Sequence, residues 1–578
     1  MKIALVWPKG FDTEYVMPLS MGYLKSNLDL KKHEVRIFDN ALDDLPADSE
    51  EFKELLKEFD PDIVGVSCWS PTYQEACDVL QLAKNLHTNT KEIILTKKAA
   101  EKFKEFMKQE GYSNAVLHIE CALPHTQKST LQFSFTQKPY SGEHCFTAHG
   151  IKICISNYNL LHIQGTTIDY DGTQIQITPL HKQVLTVMGG AHASSYPDPI
   201  MKNPEVDFVF RGEAELSFPL FLEQLEKKSP DFTKVLGLVY RTSPTEIVKN
   251  EMERERKLDA INIPDYDAMN LHAYIQQGYR FNTPYKMNAP VWITRGCPYR
   301  CSFCSAPLQN GRLIRKHSIK YMVDWVKYLY HEKGIRMINI IDDNFTFHMD
   351  YAKEFCNEMI KLNLPDLRFG TPNGIRLQRT DTELLSLMKL AGWENLIVAP
   401  ESGSKETLKR MRKDLDPDII PDKVQEIKDA GLKVHGFFII GYPGETPEDL
   451  QKTVDLIRKC KFNFFFLNNF QPLPGTPIYD ELVAEGKIEE GLLPKNYSGG
   501  ERVYVPEALE DFNFPRFVLK EYGVLALTDP LNIPYMFKLV SPGLIAKKVY
   551  SNMKNMILPN GKSKDASIAP KVMLSQEG

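Results

Sequence analysis

What this sequence has little of bounds it first. No apolar run approaches the ~18 residues needed to span a bilayer, and no secretory signal is legible at the amino terminus. Charge of one sign is also lacking: 70 Lys and Arg against 75 Asp and Glu leave a net charge of -5. That balance excludes a polycationic nucleic-acid binder, and no nucleic-acid partner is expected. Ten cysteines in 578 residues are too few for a disulfide scaffold, so a reducing, cytoplasmic setting is expected. Apolar content of 43% and charged content of 25% are those of an ordinary soluble chain, long enough for two to four domains.

The cysteines that are present are not evenly spread. Cys297, Cys301 and Cys304 stand in Arg295-Gly296-Cys297-Pro298-Tyr299-Arg300-Cys301-Ser302-Phe303-Cys304, directly after the strand-like run Val291-Trp292-Ile293-Thr294. Three thiolates are one short of the set that closes an iron–sulfur cluster or a structural zinc site. Cys356 is far off in sequence, and His317 follows a Gly-Arg turn. A [4Fe–4S] cluster held by three thiolates keeps one iron open to a chelating ligand such as the amino and carboxylate groups of a methionine derivative. The plain alternative is a zinc knuckle or a group of buried thiols, but zinc usually brings two paired Cys or His groups, and one is present.

This C-x3-C-x2-C spacing after a strand resembles the radical S-adenosylmethionine (SAM) superfamily. The resemblance implies a [4Fe–4S] cluster on Cys297, Cys301 and Cys304, with Phe303 lying against the adenine of SAM. Downstream, strand-like runs at 291–295, 336–342, 367–373, 395–400, 433–440 and 463–470 alternate with helical segments, which predicts a partial (βα)6 barrel. Its active site belongs at the carboxyl ends of the strands. Polar residues stand there: Asp342-Asp343-Asn344, Asn373-Gly374-Ile375-Arg376, Glu401-Ser402-Gly403-Ser404 and Gly441-Tyr442-Pro443-Gly444-Glu445-Thr446. Glu445-Thr446-Pro447 also reads as a simple helix start. The resemblance makes Asp343, Arg376, Glu401 and Ser402 SAM contacts, and places the end of the family's core, residues 285–477, at the Pro-Leu-Pro-Gly-Thr-Pro run.

Ahead of the barrel, residues 1–90 and 183–260 alternate strands and helices and predict a doubly wound, Rossmann-like parallel sheet. Ligand binding is expected at the strands' carboxyl ends. Pro18 to Tyr23, the Ser67 loop with Thr72, Gly189-Gly190-Ala191-His192-Ala193-Ser194 and Arg211-Gly212-Glu213-Ala214-Glu215 resemble the cobalamin-binding domain that precedes many radical SAM enzymes. On that resemblance Ser67, Thr72, Gly189, Gly190, His192, Ser194, Gly212 and Glu213 are cobalamin contacts. The D-x-H-x-x-G signature of a lower-axial histidine is absent, so His192 is expected to shape the loop rather than ligate cobalt. A flavodoxin-like nucleotide domain is the alternative, since glycine-ended strands are common at such switch points.

Residues 91–182 are far longer than the ~2–6 residues of a usual connection and form an inserted β-rich module. Its helix 101–109 and the turn expected at Gly165-Thr166-Thr167-Ile168-Asp169-Tyr170 resemble HesB-like iron–sulfur carriers, without that family's paired cysteines. Cys121, Cys145 and Cys154 are scattered and receive no cluster. The module is expected to project away from the corrin. Residues 478–560 read as a helical, aromatic cap and 561–578 as a disordered tail. The Lys-rich stretch Ile545 to Ile557 is either a membrane or acidic-partner contact or a solvated helix face, the usual meaning of such runs.

The reading is an enzyme that cleaves SAM to a 5′-deoxyadenosyl radical and methylates an unactivated carbon, with cobalamin passing the methyl group. Its partners are a small-molecule, lipid or peptide substrate and a reductant such as flavodoxin or ferredoxin. Alternatives are a cyclase or rearrangement enzyme using the same cofactors, and a corrinoid or iron–sulfur sensor without turnover.

Overall fold

A computed structural model describes residues 1–528, apart from 11–15, 87–92, 113–114, 123–129, 141–142, 157–159, 161–162, 164–165, 180–183, 228, 244–245, 253, 278–284 and 494–501. The outer half of the expected cap, the Lys-rich stretch and the expected tail lie outside the described residues.

The chain begins with three parallel strands, β1 (Lys2–Trp7), β2 (Glu34–Asp39) and β3 (Ile63–Ser67), with β1 in the middle. β1 is buried over nearly its whole length, which is why it reads as an unbroken apolar run rather than an alternating one. Helix Glu50–Phe59 is capped by Ser49, whose hydroxyl accepts from Phe52 N, and buries Phe52, Leu56 and Phe59 on the sheet. Helix Tyr73–Lys84 follows β3.

The insertion then builds its own sheets. Its strands are β4 (Ile94–Leu95), β5 (Val116–Ala122), β6 (Thr130–Thr136), β7 (Glu143–Ala148), β8 (Ile151–Ser156), β9 (Thr166–Tyr170) and β10 (Ile175–Pro179). Four of them are ordered β6-β5-β8-β7 and three β10-β9-β4. Helix Lys97–Gln109 lays Phe103 and Met107 over Leu117, Ile119, Ile151 and Ile153. Two expectations are corrected here. The stretch read as a turn up to Tyr170 is strand β9, pairing antiparallel with β10, so the HesB-like resemblance gains no support. Cys145 and Cys154, read as scattered, face each other across β7 and β8 and are joined by a disulfide. Nine residues apart in the chain, they meet only because a hairpin folds them together.

The first sheet resumes with β11 (Leu185–Gly189), β12 (Phe208–Phe210), β13 (Leu238–Arg241) and β14 (Ile247–Lys249). Its order is β14-β13-β12-β11-β3-β1-β2, parallel except for the hairpin β13–β14 at one edge. Strand order reverses between β1 and β3, so a crevice opens at their carboxyl ends. The insertion joins at the opposite end, between Lys84 and the start of β11.

The second half is a curved set of parallel strands. β15 (Asn288–Val291), β18 (Met337–Ile340) and β19 (Arg368–Gly370) form one group of three, and β20 (Asn395–Glu401), β21 (Lys433–Ile440) and β22 (Phe464–Asn469) another. Parallel bridges Phe369 to Trp393 and Ile375 to Val398 join the two groups. The expected single strand 291–295 is broken: β16 (Thr294–Arg295) leaves the barrel to pair antiparallel with β17 (Arg315–Lys316). Buried Asp342 accepts the Ile293 and Thr294 amides, each at 2.8 Å, in place of a neighbouring strand. Helix Phe514–Thr528 covers β22, with Tyr522 stacked on Phe465 and Glu521 paired to Arg458 at 2.9 Å. The fold is therefore α/β throughout, a doubly wound sheet followed by a partial barrel. Among the described residues no helix is long and apolar enough to cross a membrane.

One buried pair ties the parallel sheet together. Lys84 Nζ meets Asp207 Oδ2 at 2.5 Å with both side chains enclosed, and the same oxygen accepts the Thr186 amide at 2.8 Å. Removing one partner strands a charge out of water. Lys84→Met is expected to cost about 3–5 kcal/mol in urea unfolding; a change under about 1 kcal/mol would contradict the pairing's importance.

Candidate active site

The cluster loop is shaped by its backbone. Gly296 has φ +103°, and a Cβ there would stand 2.4 Å from Leu313 O, so only glycine fits. The Cys297 amide donates to Gly311 O at 3.0 Å and the Ser302 amide to Met411 O at 2.9 Å. The Ser302 and Tyr442 hydroxyls share a 2.7 Å hydrogen bond. All three cysteines are half-buried and free. Burial raises the Cys297 thiol and pushes the Cys304 thiol up to about 12, so these groups become thiolates only with a cation to hold them.

The thiols also lie too far apart for one ion. Sulfurs on a tetrahedral zinc are roughly 3.8 Å apart, given Zn–S of about 2.3 Å. Among the described residues the one group of three such ligands mutually within 4.8 Å is elsewhere in the chain. Cys356 is sealed in the core, and His317 is stacked on Tyr321 with Nδ1 at 3.1 Å from Asp259, so neither closes a fourth position. The donor set fits a four-iron cluster with one open corner.

Around the loop the expected SAM residues fall into two groups. Asp343, half-buried beside the cysteines, accepts from Asn310 Nδ2 at 2.9 Å and from the Gly296 amide at 3.3 Å; desolvation raises its pKa. The Arg376 guanidinium lies 3.4 Å from the Tyr299 ring centre and donates to Lys413 O and Asp414 O, while its Nε has no partner. Glu401 adopts φ +67° where β20 bulges, and its carboxylate meets Lys413 Nζ at 2.8 Å. Lys413 has no strand-end position to mark it, and the sequence reading missed it. Phe303 lies edge-on to Tyr442, 6.4 Å between ring centres.

Ser402, the fourth expected SAM contact, differs from these three in its surroundings. It is fully enclosed, accepts from the Ser404 amide at 3.1 Å and shares a hydrogen bond with Thr453, so it holds the turn that starts helix Lys405–Arg410. Glu445 likewise serves its own loop, accepting the Gly441 amide at 2.6 Å, while Thr446 and Asp449 form a reciprocal cap on helix Pro447–Cys460.

A cleft open to solvent on one side joins the two halves. Ser67, Gly189, Gly190, Ser194, Gly212 and Glu213 line it from the carboxyl ends of the first sheet, as do Tyr23 and Glu215; Trp292, Arg295, Gln309 and Asn310 line it from the barrel side. Ser194 Oγ ties two of these turns together, accepting the Gly212 amide and donating to Gly190 O, both at 2.8 Å. Two expected contacts lie outside the cleft. Thr72 caps its own short turn through the Trp69 amide at 3.1 Å. His192 is buried against Tyr73, shares a 3.0 Å hydrogen bond with Ser70, and is lowered to about 4 by burial, hence neutral.

The sequence reading also missed the cleft's central charge. Arg295, fully buried, meets Glu215 at 2.6 Å and Glu213 at 3.4 Å, with Tyr23 and Trp292 rings 4.9 and 4.8 Å away. Burial alone would lower its pKa, but the two carboxylates outweigh it and hold the guanidinium charged. Its Nε and Nη2 have no partner within the protein. Glu213 is gripped from the other side by Arg315, at 2.8 Å through Nη1.

Fold and site together define an α/β protein with a three-thiol loop at a barrel mouth, facing a doubly wound sheet of flavodoxin-like strand order. Residues 291–457 match the Radical SAM superfamily, and this part of the chain is a radical SAM domain, which implies the cluster and SAM. An uncharacterised methyltransferase of Pyrococcus horikoshii is 25% identical over 474 residues, 82% of this chain and 79% of its own length. The cytidylyl-2-hydroxyethylphosphonate methyltransferase of Streptomyces wedmorensis is 30% identical over 357 residues, 56% of this chain and 65% of its own. In fold the chain is similar to the radical SAM methyltransferase TsrM of Kitasatospora setae, solved with cobalamin and a [4Fe–4S] cluster: TM-score 0.56, 16% identity, 84% of this chain and 78% of that one.

Arg295→Met leaves Glu215 buried without its partner and is expected to destabilise the chain by about 3–5 kcal/mol, read as a lower urea midpoint. A second expectation concerns pH. Burial pushes Glu445 up to about 8 from its ordinary 4.5, so it contributes stability at low pH that is lost as pH rises through 8. Glu445→Gln, which cannot ionise, should flatten the fall in stability between those two values; an unchanged slope would contradict a protonated Glu445.

Proposed function

We propose that this chain is a cobalamin-dependent radical SAM enzyme that methylates an unactivated carbon of a small-molecule, lipid or peptide substrate in the cytoplasm, drawing electrons from a flavodoxin or ferredoxin. The observation that carries this reading is the shared cleft: the carboxyl ends of a doubly wound sheet open onto the residues that flank a three-thiol loop. When bound, the cluster and SAM supply the 5′-deoxyadenosyl radical, and cobalamin supplies methyl transfer.

In this reading Cys297, Cys301 and Cys304 hold the cluster and leave one corner for the amino and carboxylate groups of SAM. Arg376, with an unpartnered Nε, offers a donor near the loop, and the Glu401–Lys413 pair offers one charge of each sign at the end of β20. Phe303 supplies an apolar wall. On the sheet side Gly189, Gly190 and Gly212 leave room for a broad ligand, and Ser67 and Ser194 offer hydroxyls at its edge. The cleft's area is mostly apolar, which suits a large ring system and keeps water from reactive species. His192, neutral and bonded to Ser70, shapes the loop under this ligand rather than binding metal. The relatives named as methyltransferases support the methylation reading.

The test uses SAM with a labelled methyl group, anaerobic chain loaded with cluster and cobalamin, a reductant and a small-molecule extract. Label in a carbon-bonded product together with 5′-deoxyadenosine is expected. Product without label would overturn methyl transfer in favour of rearrangement. Cys301→Ala should reduce 5′-deoxyadenosine to background, and retained formation would refute the ligand assignment.

A further inference from the structure

The insertion carries a second constellation that the reading above does not use. Glu143, Cys145 and Cys154 present a carboxylate oxygen and two sulfurs that all lie within 4.8 Å of one another. Their placement follows from the sheet. Glu143 and Cys145 are two apart on β7 and so share a face, and Cys154 stands directly opposite Cys145 on β8. The other face of this sheet packs on helix Lys97–Gln109 through Leu117, Ile119, Ile153 and Ile155, so the three ligands face away from that helix.

The carboxylate is held in place. His118, the neighbour of Cys154 on β5, is buried with Nδ1 at 2.9 Å from Glu143 Oε1. Its Nε2 lies 2.6 Å from Thr136 Oγ1, whose own proton goes to Lys138 O at 2.8 Å. The Tyr140 amide donates to the second Glu143 oxygen at 2.9 Å. A ligating carboxylate fixed by hydrogen bonds from behind is how protein metal sites orient such a group. β7 is the edge strand of its sheet, and Glu143 and Cys145 are only half-buried, so ions and reductants reach the site.

We propose that Glu143, Cys145 and Cys154 form a binding site for one thiophilic divalent cation of the zinc class, present when the two cysteines are thiols and absent when they are joined. The chemistry balances. A dithiol reductant gives two electrons and two protons to the Cys145–Cys154 bond and leaves as its own disulfide. The cation then displaces the two thiol protons as it binds. Three protein ligands leave zinc's fourth position to water, so the ion is exchangeable. His118 is a positioning residue, acting through Glu143.

The test is a zinc titration of the full chain with its cluster already loaded, under anaerobic conditions, with and without a phosphine reductant that does not itself bind zinc tightly. The reduced chain should bind one zinc more than the same chain kept oxidised, and one more than the Cys145→Ser, Cys154→Ser double variant. Glu143→Gln, which keeps both thiols, should retain the stoichiometry while weakening affinity by tenfold or more, and His118→Gln should weaken it by about 10–100-fold. Equal zinc binding by the reduced chain and the double variant, or zinc bound equally by the oxidised chain, would overturn the proposal. Unchanged affinity in Glu143→Gln would remove the carboxylate from the site. None of these readouts depends on SAM cleavage, so failure here leaves the reaction proposed for the barrel standing.

Discussion

A guanidinium sealed between two carboxylates is the constraint on which the architecture turns. Arg295 belongs to the barrel half, Glu213 and Glu215 to the first sheet, and the 2.6 Å contact between Arg295 and Glu215 is buried at the cleft between them. A charge so placed is tolerated only with its partners in register, so the two halves dock in one arrangement. Gly296 follows at once, in a conformation that glycine alone adopts easily, and then Cys297. The charge pair therefore sets where the cluster loop begins as well as how the halves meet.

Other contacts reinforce the same docking. Arg315 grips Glu213 from beyond the loop, and Arg254 donates to the carbonyls of Leu308 and Gln309, both at 2.9 Å. Gly475, near the end of the barrel, would place a Cβ 2.4 Å from Ser195 O, so the backbone there passes directly against the first domain. These contacts join segments from 54 residues apart, at Arg254 and Leu308, to far more distant ones, at Ser195 and Gly475, and they converge around one cleft. The insertion enters at the far end of the first sheet, where its own chemistry does not crowd that cleft.

Much of the fold was legible because it is local. Buried parallel strands write unbroken apolar runs such as Ile3 to Val6, and Lys433–Ile440 was located to the residue by its pattern alone. The cysteine spacing was equally local. What was not legible depends on partners distant in the chain. Thr72 and Ser402 are polar residues in the loops after strands, which looks like ligand binding; in the structure each hydroxyl accepts from a backbone amide of its own turn. Arg295 read as a residue preceding a motif, since Glu215 lies 80 positions earlier. Lys413 could not be matched to Glu401, nor Cys145 to Cys154, without knowing a bulge and a hairpin.

The central claim is that three thiolates hold four irons and leave one for SAM. The most direct measurement is the Mössbauer spectrum of chain loaded anaerobically with iron-57 and sulfide, recorded with and without SAM. The account predicts a [4Fe–4S] spectrum in which one iron site shifts when SAM is added while the others stay. Zinc in place of iron at that loop, or a cluster spectrum that SAM leaves untouched, would contradict it.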